Sequence, residues 1–300
     1  MSAGTAPVLD KWASWLLHSR YGGSREYFDF VMTQLGAIRD RIFSLARISR
    51  GDTVLDVGAG DGILGFAALA QVGGGGKVIL SDISADALRH CSEFIAAENG
   101  NAPNISTLLA SADDLSALGA GSIDVIVSRA VLCYIGDKRK CFDEYFRVLR
   151  PGGRLSICEP INRFANMNKR EGLTLFGYDM TPLPEIHKKI QAFYGGPPDL
   201  EGNPMLNFDE RDLLRFAIDA GFENTTINFE ASRMRRQEKW TWEQLIGVSN
   251  NPNAPSVKAA MDSALNTQEK EELEAYLKPL MEKESGMIYN AGVYLYAVKA

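Results

Sequence analysis

The stretch Val54-Leu55-Asp56-Val57-Gly58-Ala59-Gly60-Asp61-Gly62 decides the fold of this chain. A short apolar run ends in glycines at alternate positions, and residues 63–72 then resume with apolar side chains at helical spacing. The segment therefore reads as strand, tight glycine turn and helix. Glycine at that junction lets the backbone turn sharply and lets a ligand approach main-chain atoms. Outward from it the alternation repeats, with strands expected at 77–81, 105–109, 123–128 and 154–158 and helices at 85–99 and 138–149. These strands are continuous apolar runs, as expected of strands covered by helices on both faces. The fold class is α/β, a doubly wound parallel sheet with right-handed crossovers.

Two helices, over 10–22 and 24–48, precede the first strand, and Gly51-Asp52 breaks the second. Past Glu159 the rhythm changes. Residues 164–207 are rich in Met, Pro and aromatic side chains, a capped helix starts near Asp209, and Gly221 stops it. Residues 225–229 read as a strand, 240–285 as a helical excursion and 289–298 as a last strand, which makes seven strands with the last one antiparallel. The chain thus divides into N-terminal helices over 1–50, a core over 51–163, a cap insertion over 164–207, core elements over 208–232, a second helical cap over 233–286 and a final core strand over 287–300.

Composition bounds the function. With 300 residues, 45% hydrophobic and 23% charged, the chain can bury a sizeable core. Thirty-eight acidic against 32 basic residues leave a net charge of −6, without the positive field that nucleic acid requires. The partner expected is a small molecule, and the protein a monomer or homodimer. No run approaches a membrane span, and the first residues lack the basic and apolar regions of a leader, so a cytoplasmic location is expected. Cys91, Cys133, Cys141 and Cys158 form no Cys-x-x-Cys pair, which argues for reduced, buried thiols and against structural zinc.

The glycine turn also says what it holds. A dinucleotide fingerprint measured from Gly58 would need glycine at 63, where Ile63 stands. Asp56 and Asp61 would repel a diphosphate and suit a cationic ligand. Asp82 ends the second strand, where a carboxylate can accept both hydroxyls of a ribose. Taken singly, each Asp also reads as a cap or turn residue.

Together, Asp56-x-Gly58-x-Gly60-x-Gly62, Asp82, Ala112-Asp113 after the third strand and Leu149-Arg150-Pro151-Gly152-Gly153 before the fifth resemble the class I S-adenosylmethionine-dependent methyltransferases, over about residues 45–230. The resemblance implies a Rossmann-like sheet and S-adenosylmethionine as cofactor. It places the glycine loop under the methionine part, Asp82 on the ribose and Asp113 at the adenine amino group. A sulfonium and an α-ammonium are both cations, in keeping with an acidic rim. The expected cofactor contacts are Tyr21, Asp56, Gly58, Ala59, Gly60, Asp82, Ile83, Ala112, Asp113 and Ser128. Tyr21 enters because a helix over 24–48, about 35 Å long, should reach the same rim.

Methyl transfer is an in-line displacement that a protein accelerates by positioning and by excluding water. Where the acceptor is protonated, candidate bases are Glu159 at the end of the fifth strand, His187, Tyr134, Asp179 and His18. Glu159 is preferred, because a carboxylate at a strand end should face the cavity. His187 also reads as a solvated lid residue among charged neighbours. Phe164, Met167, Phe176, Tyr178, Met180, Phe193, Tyr194, Met205, Trp240 and Trp242 are expected partly to line a desolvated roof and partly to pack the caps onto the sheet. The acceptor is accordingly a small, partly apolar molecule, such as a natural product or secondary metabolite.

Ser128-Arg129-Ala130-Val131-Leu132 lacks the Asn/Asp-Pro-Pro-Tyr of amino-group methylation and a carboxylate for magnesium, so no metal is expected. The run 233–236 reads as a solvated edge or as a lure for anions. Three alternatives stay open: arsenite held by Cys133 and Cys158, a cofactor-binding protein without turnover, and a nicotinamide oxidoreductase, which the misplaced glycine disfavours.

Overall fold

A computed structural model of the chain describes residues 8–99, 104–164, 173–196, 199–236 and 240–300. The chain opens with α1 (Lys11–Ser14), which passes through one π-turn (Trp15–Ser19) and leads to α2 (Arg25–Ala46). The core follows as β1 (Thr53–Val57), α3 (Ile63–Val72), β2 (Lys77–Asp82), α4 (Ala85–Asn99), β3 (Ile105–Leu109), β4 (Ile123–Arg129), α5 (Lys138–Val148) and β5 (Leu149–Pro160). Next come the hairpin strands β6 (Thr174–Leu175) and β7 (Tyr178–Asp179), then α6 (Pro184–Phe193), α7 (Glu210–Ala220) and β8 (Glu223–Arg235). Helices α8 (Trp242–Gly247), α9 (Val257–Ala264) and α10 (Thr267–Glu282) precede the last strand, β9 (Met287–Val298).

Seven strands form one sheet in the order β3-β2-β1-β4-β5-β9-β8. β1 to β5 run parallel, and β9 lies antiparallel between β5 and β8. Alternation along each strand feeds two cores. Leu55, Val57, Ile126, Leu155 and Ile157 pack against Phe142 and Tyr145 of α5 and Leu213 of α7. Val54, Val78, Leu80, Val125 and Val127 face Ile42 and Phe43 of α2, Leu64 and Ala68 of α3, and Leu88 of α4. This is the layering expected of strands covered on both sides. The strand order reverses at β1, so a crevice opens beyond the carboxyl ends of β1 and β4.

Three strands outrun expectation: β5, expected over 154–158, runs from Leu149 to Pro160 with a register shift opposite Ile123 and Val125 of β4, and the other two are β8 and β9. β8 and β9 pair from Thr226 with Tyr296 out to Arg235 with Met287, although β5 meets β9 only from Gly292 to Val298. The outer half of this ribbon leaves the sheet. Its β8 strand is mostly exposed and polar, so it carries no apolar alternation to announce itself, and backbone bonds to β9 hold it. At the ribbon tip the Gly177 carbonyl accepts the Met287 N–H at 2.8 Å. That bond ties the β6–β7 turn to the start of β9.

The two insertions form one cap. Leu175, Met180 and Ile190 from the first pack with Trp242, Leu245, Met261 and Leu273 from the second in a single apolar cluster. Among the described residues no helix is long and apolar enough to cross a membrane.

Candidate active site

The carboxyl ends of β1 to β5 open into a cavity of about 660 Å³, a size that suits a cofactor and part of a small acceptor. Asp56, Gly58, Ala59 and Gly60 line it after β1, Asp82 and Ile83 after β2, Ala112 and Asp113 after β3, and Arg129 and Val131 after β4. The Asp82 carboxylate accepts the N–H groups of Gly60 and Ser84, each at 2.9 Å, which fixes the glycine loop to the end of β2. Burial raises the Asp82 carboxyl above the usual carboxylate range, against those amides. Asp56 is buried and accepts the Gly65 N–H at 2.8 Å, anchoring the start of α3. Its carboxyl is pushed up to about 7, first by burial and then by the nearby Asp82 and Asp61. Asp113 is half-buried and accepts the Ser111 hydroxyl.

The N-terminal segment closes the cavity over these acids. Asp10 caps α1 by accepting the Trp12 and Ala13 N–H groups, and it also accepts the Ser84 hydroxyl at 2.7 Å. The Trp15 indole donates to the Ser249 carbonyl at 2.8 Å, joining this strap to the second insertion. Trp12, Trp15, Leu16 and Arg20 line the cavity, as do Tyr27 and Val31 of α2. Sequence reasoning passed over Trp12, Trp15, Arg20 and Arg129. The available signal was two tryptophans three residues apart in a short helix upstream of the glycine loop.

Several expected site residues stand elsewhere. Glu159 does not line the cavity. It is fully buried beneath the turn after β4, where Oε1 accepts the N–H groups of Val131 at 2.9 Å and Leu132 at 3.0 Å and Oε2 accepts that of Cys133 at 3.3 Å. The amides of the turn after β4 claim this carboxylate, which leaves it facing main chain instead of the cavity. Burial pushes this carboxyl up to about 7 although the three amides pull it down. Ser128 points between strands, donating to the Val57 carbonyl at 2.9 Å, while the next residue, Arg129, reaches the cavity. Tyr21 packs edge-on against Phe28 at 5.0 Å, outside the cavity wall, with its hydroxyl buried and, among the described residues, without a hydrogen-bond partner. His187 is buried in the cap, its Nε2 at 3.2 Å from the Thr174 carbonyl, and is neither a solvated lid residue nor part of the cavity. Asp179 caps Thr181 at the cap surface, and His18 is exposed.

Tyr134 does line the cavity, edge-on to Trp12 at 5.0 Å, and burial pushes its phenol well above the ordinary range. It holds its proton at neutral pH and can donate it in a hydrogen bond. Of the expected roof residues, Met205 lines the cavity. Tyr178, Met180 and Trp242 are spent in the cap's own core, with Phe176, Phe193 and Trp240 packed against it. Phe164 packs near Phe229, Tyr194 is partly exposed, and Met167 lies outside the described residues. A cap of this size must first bury its own apolar side chains.

Cys133 and Cys158 sit in the cores on opposite faces of the sheet. Burial pushes the Cys158 thiol up to about 12 and raises that of Cys133 as well. Among the described residues no cluster of three or more His, Cys, Asp or Glu could hold a metal.

Comparison with known proteins agrees with this geometry. The family described as methyltransferase domain matches residues 48–196. The chain is 31% identical over 180 residues to the ubiquinone/menaquinone biosynthesis C-methyltransferase of Cronobacter sakazakii, over 59% of this chain and 68% of that protein. It is 33% identical over 118 residues to the arsenite methyltransferase of Halobacterium salinarum, over 39% of this chain and only 29% of that protein's length. The crystal structure of the YcgJ protein from Bacillus subtilis shares the fold, with a TM-score of 0.50 at 14% identity over 87% of this chain and 97% of that one. An acid-rimmed glycine loop at the switch point of this sheet, matched by that family over that stretch, establishes that the chain belongs to the class I S-adenosylmethionine-dependent methyltransferases.

Proposed function

We propose that this methyltransferase methylates a small organic molecule with an apolar or aromatic body, and that the cavity beyond β1 to β4 holds cofactor and acceptor together. The observation that carries the reading is the division of the cavity wall: carboxylates and a bare glycine backbone on the β1, β2 and β3 side, aromatic and aliphatic side chains from the N-terminal strap opposite.

The residues present suit the cofactor. Asp82 has capacity left to accept ribose hydroxyls, Ile83 offers an exposed apolar face to an adenine, and Asp113 can accept from its amino group. Gly58 to Gly60 leave the methionine part room against main chain. When bound, S-adenosylmethionine would supply an electrophilic methyl group and a neutral thioether as leaving group. The chain's own contribution is placement and exclusion of water: Trp12, Trp15 and Leu16 cover the cavity, and Tyr134 donates a hydrogen bond that orients an acceptor oxygen. Acids facing the cofactor's positive groups hold it in register.

The quinone-pathway relative supports an aromatic acceptor. Cysteines separated by the sheet speak against arsenite, despite the likeness to an arsenite enzyme. Calorimetry tests the reading: S-adenosylhomocysteine should bind the unmodified chain, and Asp82→Ala should weaken that binding at least tenfold, or by about 1.4 kcal/mol or more. Undiminished affinity in the variant overturns the assignment of the cofactor site.

A further inference from the structure

Arg20 and Arg129 bring two positive charges to one corner of the cavity from different layers, the first from the turn that follows the π-turn and the second from the end of β4. Among the described residues neither makes an ion pair or a hydrogen bond. Arginines elsewhere are engaged: Arg154 with Asp52 at 2.6 Å, Arg147 with Glu144 at 2.7 Å, Arg139 with Asp143 at 3.1 Å. The Arg20 guanidinium lies over the rings of Trp15 at 5.2 Å and Tyr21 at 5.4 Å, which orders it without neutralising it. Burial, and after it the charge of Arg129, holds Arg20 below the usual arginine value. The buried Tyr21 hydroxyl, without a hydrogen-bond partner among the described residues, feels the charges of Arg20, Asp61 and Arg129.

Asp61 acts on Arg20 at longer range, as Asp56 and Glu159 act on Arg129, but among the described residues none of these carboxylates pairs with either guanidinium, so the N–H groups of both remain for an anionic ligand. The cofactor's single carboxylate is the rival occupant of this corner, and the variants below separate the two. We propose that the Arg20 and Arg129 corner binds an anionic group of the methyl acceptor, so that the acceptors are organic carboxylic acids whose apolar or aromatic body lies against Trp12, Leu16, Val31, Tyr134 and Met205. Guanidinium to carboxylate pairing supplies both charge and bidentate geometry. This inference rests on the methyltransferase reading of the same cavity.

The test uses the full chain saturated with S-adenosylhomocysteine. Benzoate, phenylacetate and indoleacetate are titrated by calorimetry, each against its neutral amide. At least one acid should bind about tenfold tighter than its amide, the size of a charged hydrogen bond. Arg129→Gln and Arg20→Gln should each abolish that preference while affinity for S-adenosylhomocysteine stays within about threefold, which also shows that the variants are folded. Loss of S-adenosylhomocysteine binding in parallel with the acid would assign the corner to the cofactor and overturn the inference. S-adenosylhomocysteine binding without any acid preference in the unmodified chain overturns this inference alone. Failure of the unmodified chain to bind S-adenosylhomocysteine overturns the methyltransferase reading and this one with it.

Discussion

Val131 fills the space that a side chain on Gly58 would need: a Cβ there would lie 2.2 Å from Val131 Cγ2. The Val131 amide is in turn held by Glu159 at 2.9 Å. A buried carboxylate at the end of β5 thus sets the residue that packs on the glycine loop after β1. Glu159 acts on the site through this contact and does not touch the cavity.

Gly58→Ala should therefore damage both stability and cofactor binding. Gly58 has φ +67°, where an L side chain is strained, and the added methyl collides with Val131. Strain and overpacking together cost about 2 to 4 kcal/mol. The double variant Gly58→Ala, Val131→Ala should recover the overpacking share and keep the backbone share. Urea unfolding beside S-adenosylhomocysteine titration checks this, and full stability in the single variant contradicts it.

Glu159 should make stability fall as pH rises. Its carboxyl titrates at about 7 in the folded protein against an ordinary 4.5, so the folded state binds the extra proton between those values. The stability it contributes is fully present below the ordinary value and lost as pH climbs through the folded one, a change of about 3 kcal/mol. Asp56, raised to about 7 by burial, adds a change of the same sign. Glu159→Gln should reduce the stability difference between pH 5 and pH 8 in urea titrations; an unchanged difference would show the carboxyl is not the source. The same variant should keep kcat within about tenfold, whereas loss of a general base costs about a hundredfold or more.

Gly177→Ala should loosen the cap and spare the core. Gly177 has φ +85°, and a Cβ would lie 2.2 Å from the Met287 carbonyl oxygen at the ribbon tip. Hydrogen exchange should quicken across 173–196 and 242–282 while amides of β1, β2 and β4 keep their protection. Faster exchange spread evenly through the sheet would mean that cap and core unfold as one.

The sheet and its glycine loop were legible because their signals are local. Strands of five to seven residues with short apolar runs, glycines at 58, 60 and 62 and a carboxylate ending β2 each report on neighbouring residues only. Asp209 and Gly221 marked both ends of α7 for the same reason, one as a capping box and the other as a left-handed stop. The length of β8 was not legible, since its polar exposed strand is held by a partner sixty residues downstream.

The amino-acid order alone determined a parallel doubly wound core, the acid-rimmed loop at its switch point and the kind of cofactor such a loop suits. Only tertiary structure decided which side chains face the cavity. Glu159 and Ser128 stand at strand ends, yet nearby backbone amides and carbonyls claim them first. Arg20 and Arg129, thirty-six residues or more from Asp56 and Asp82, became cavity residues because the N-terminal strap folds over the loops that follow β2 and β4. A strand's period fixes which face a residue takes, whereas the competition among buried polar groups for partners is settled only when distant segments meet.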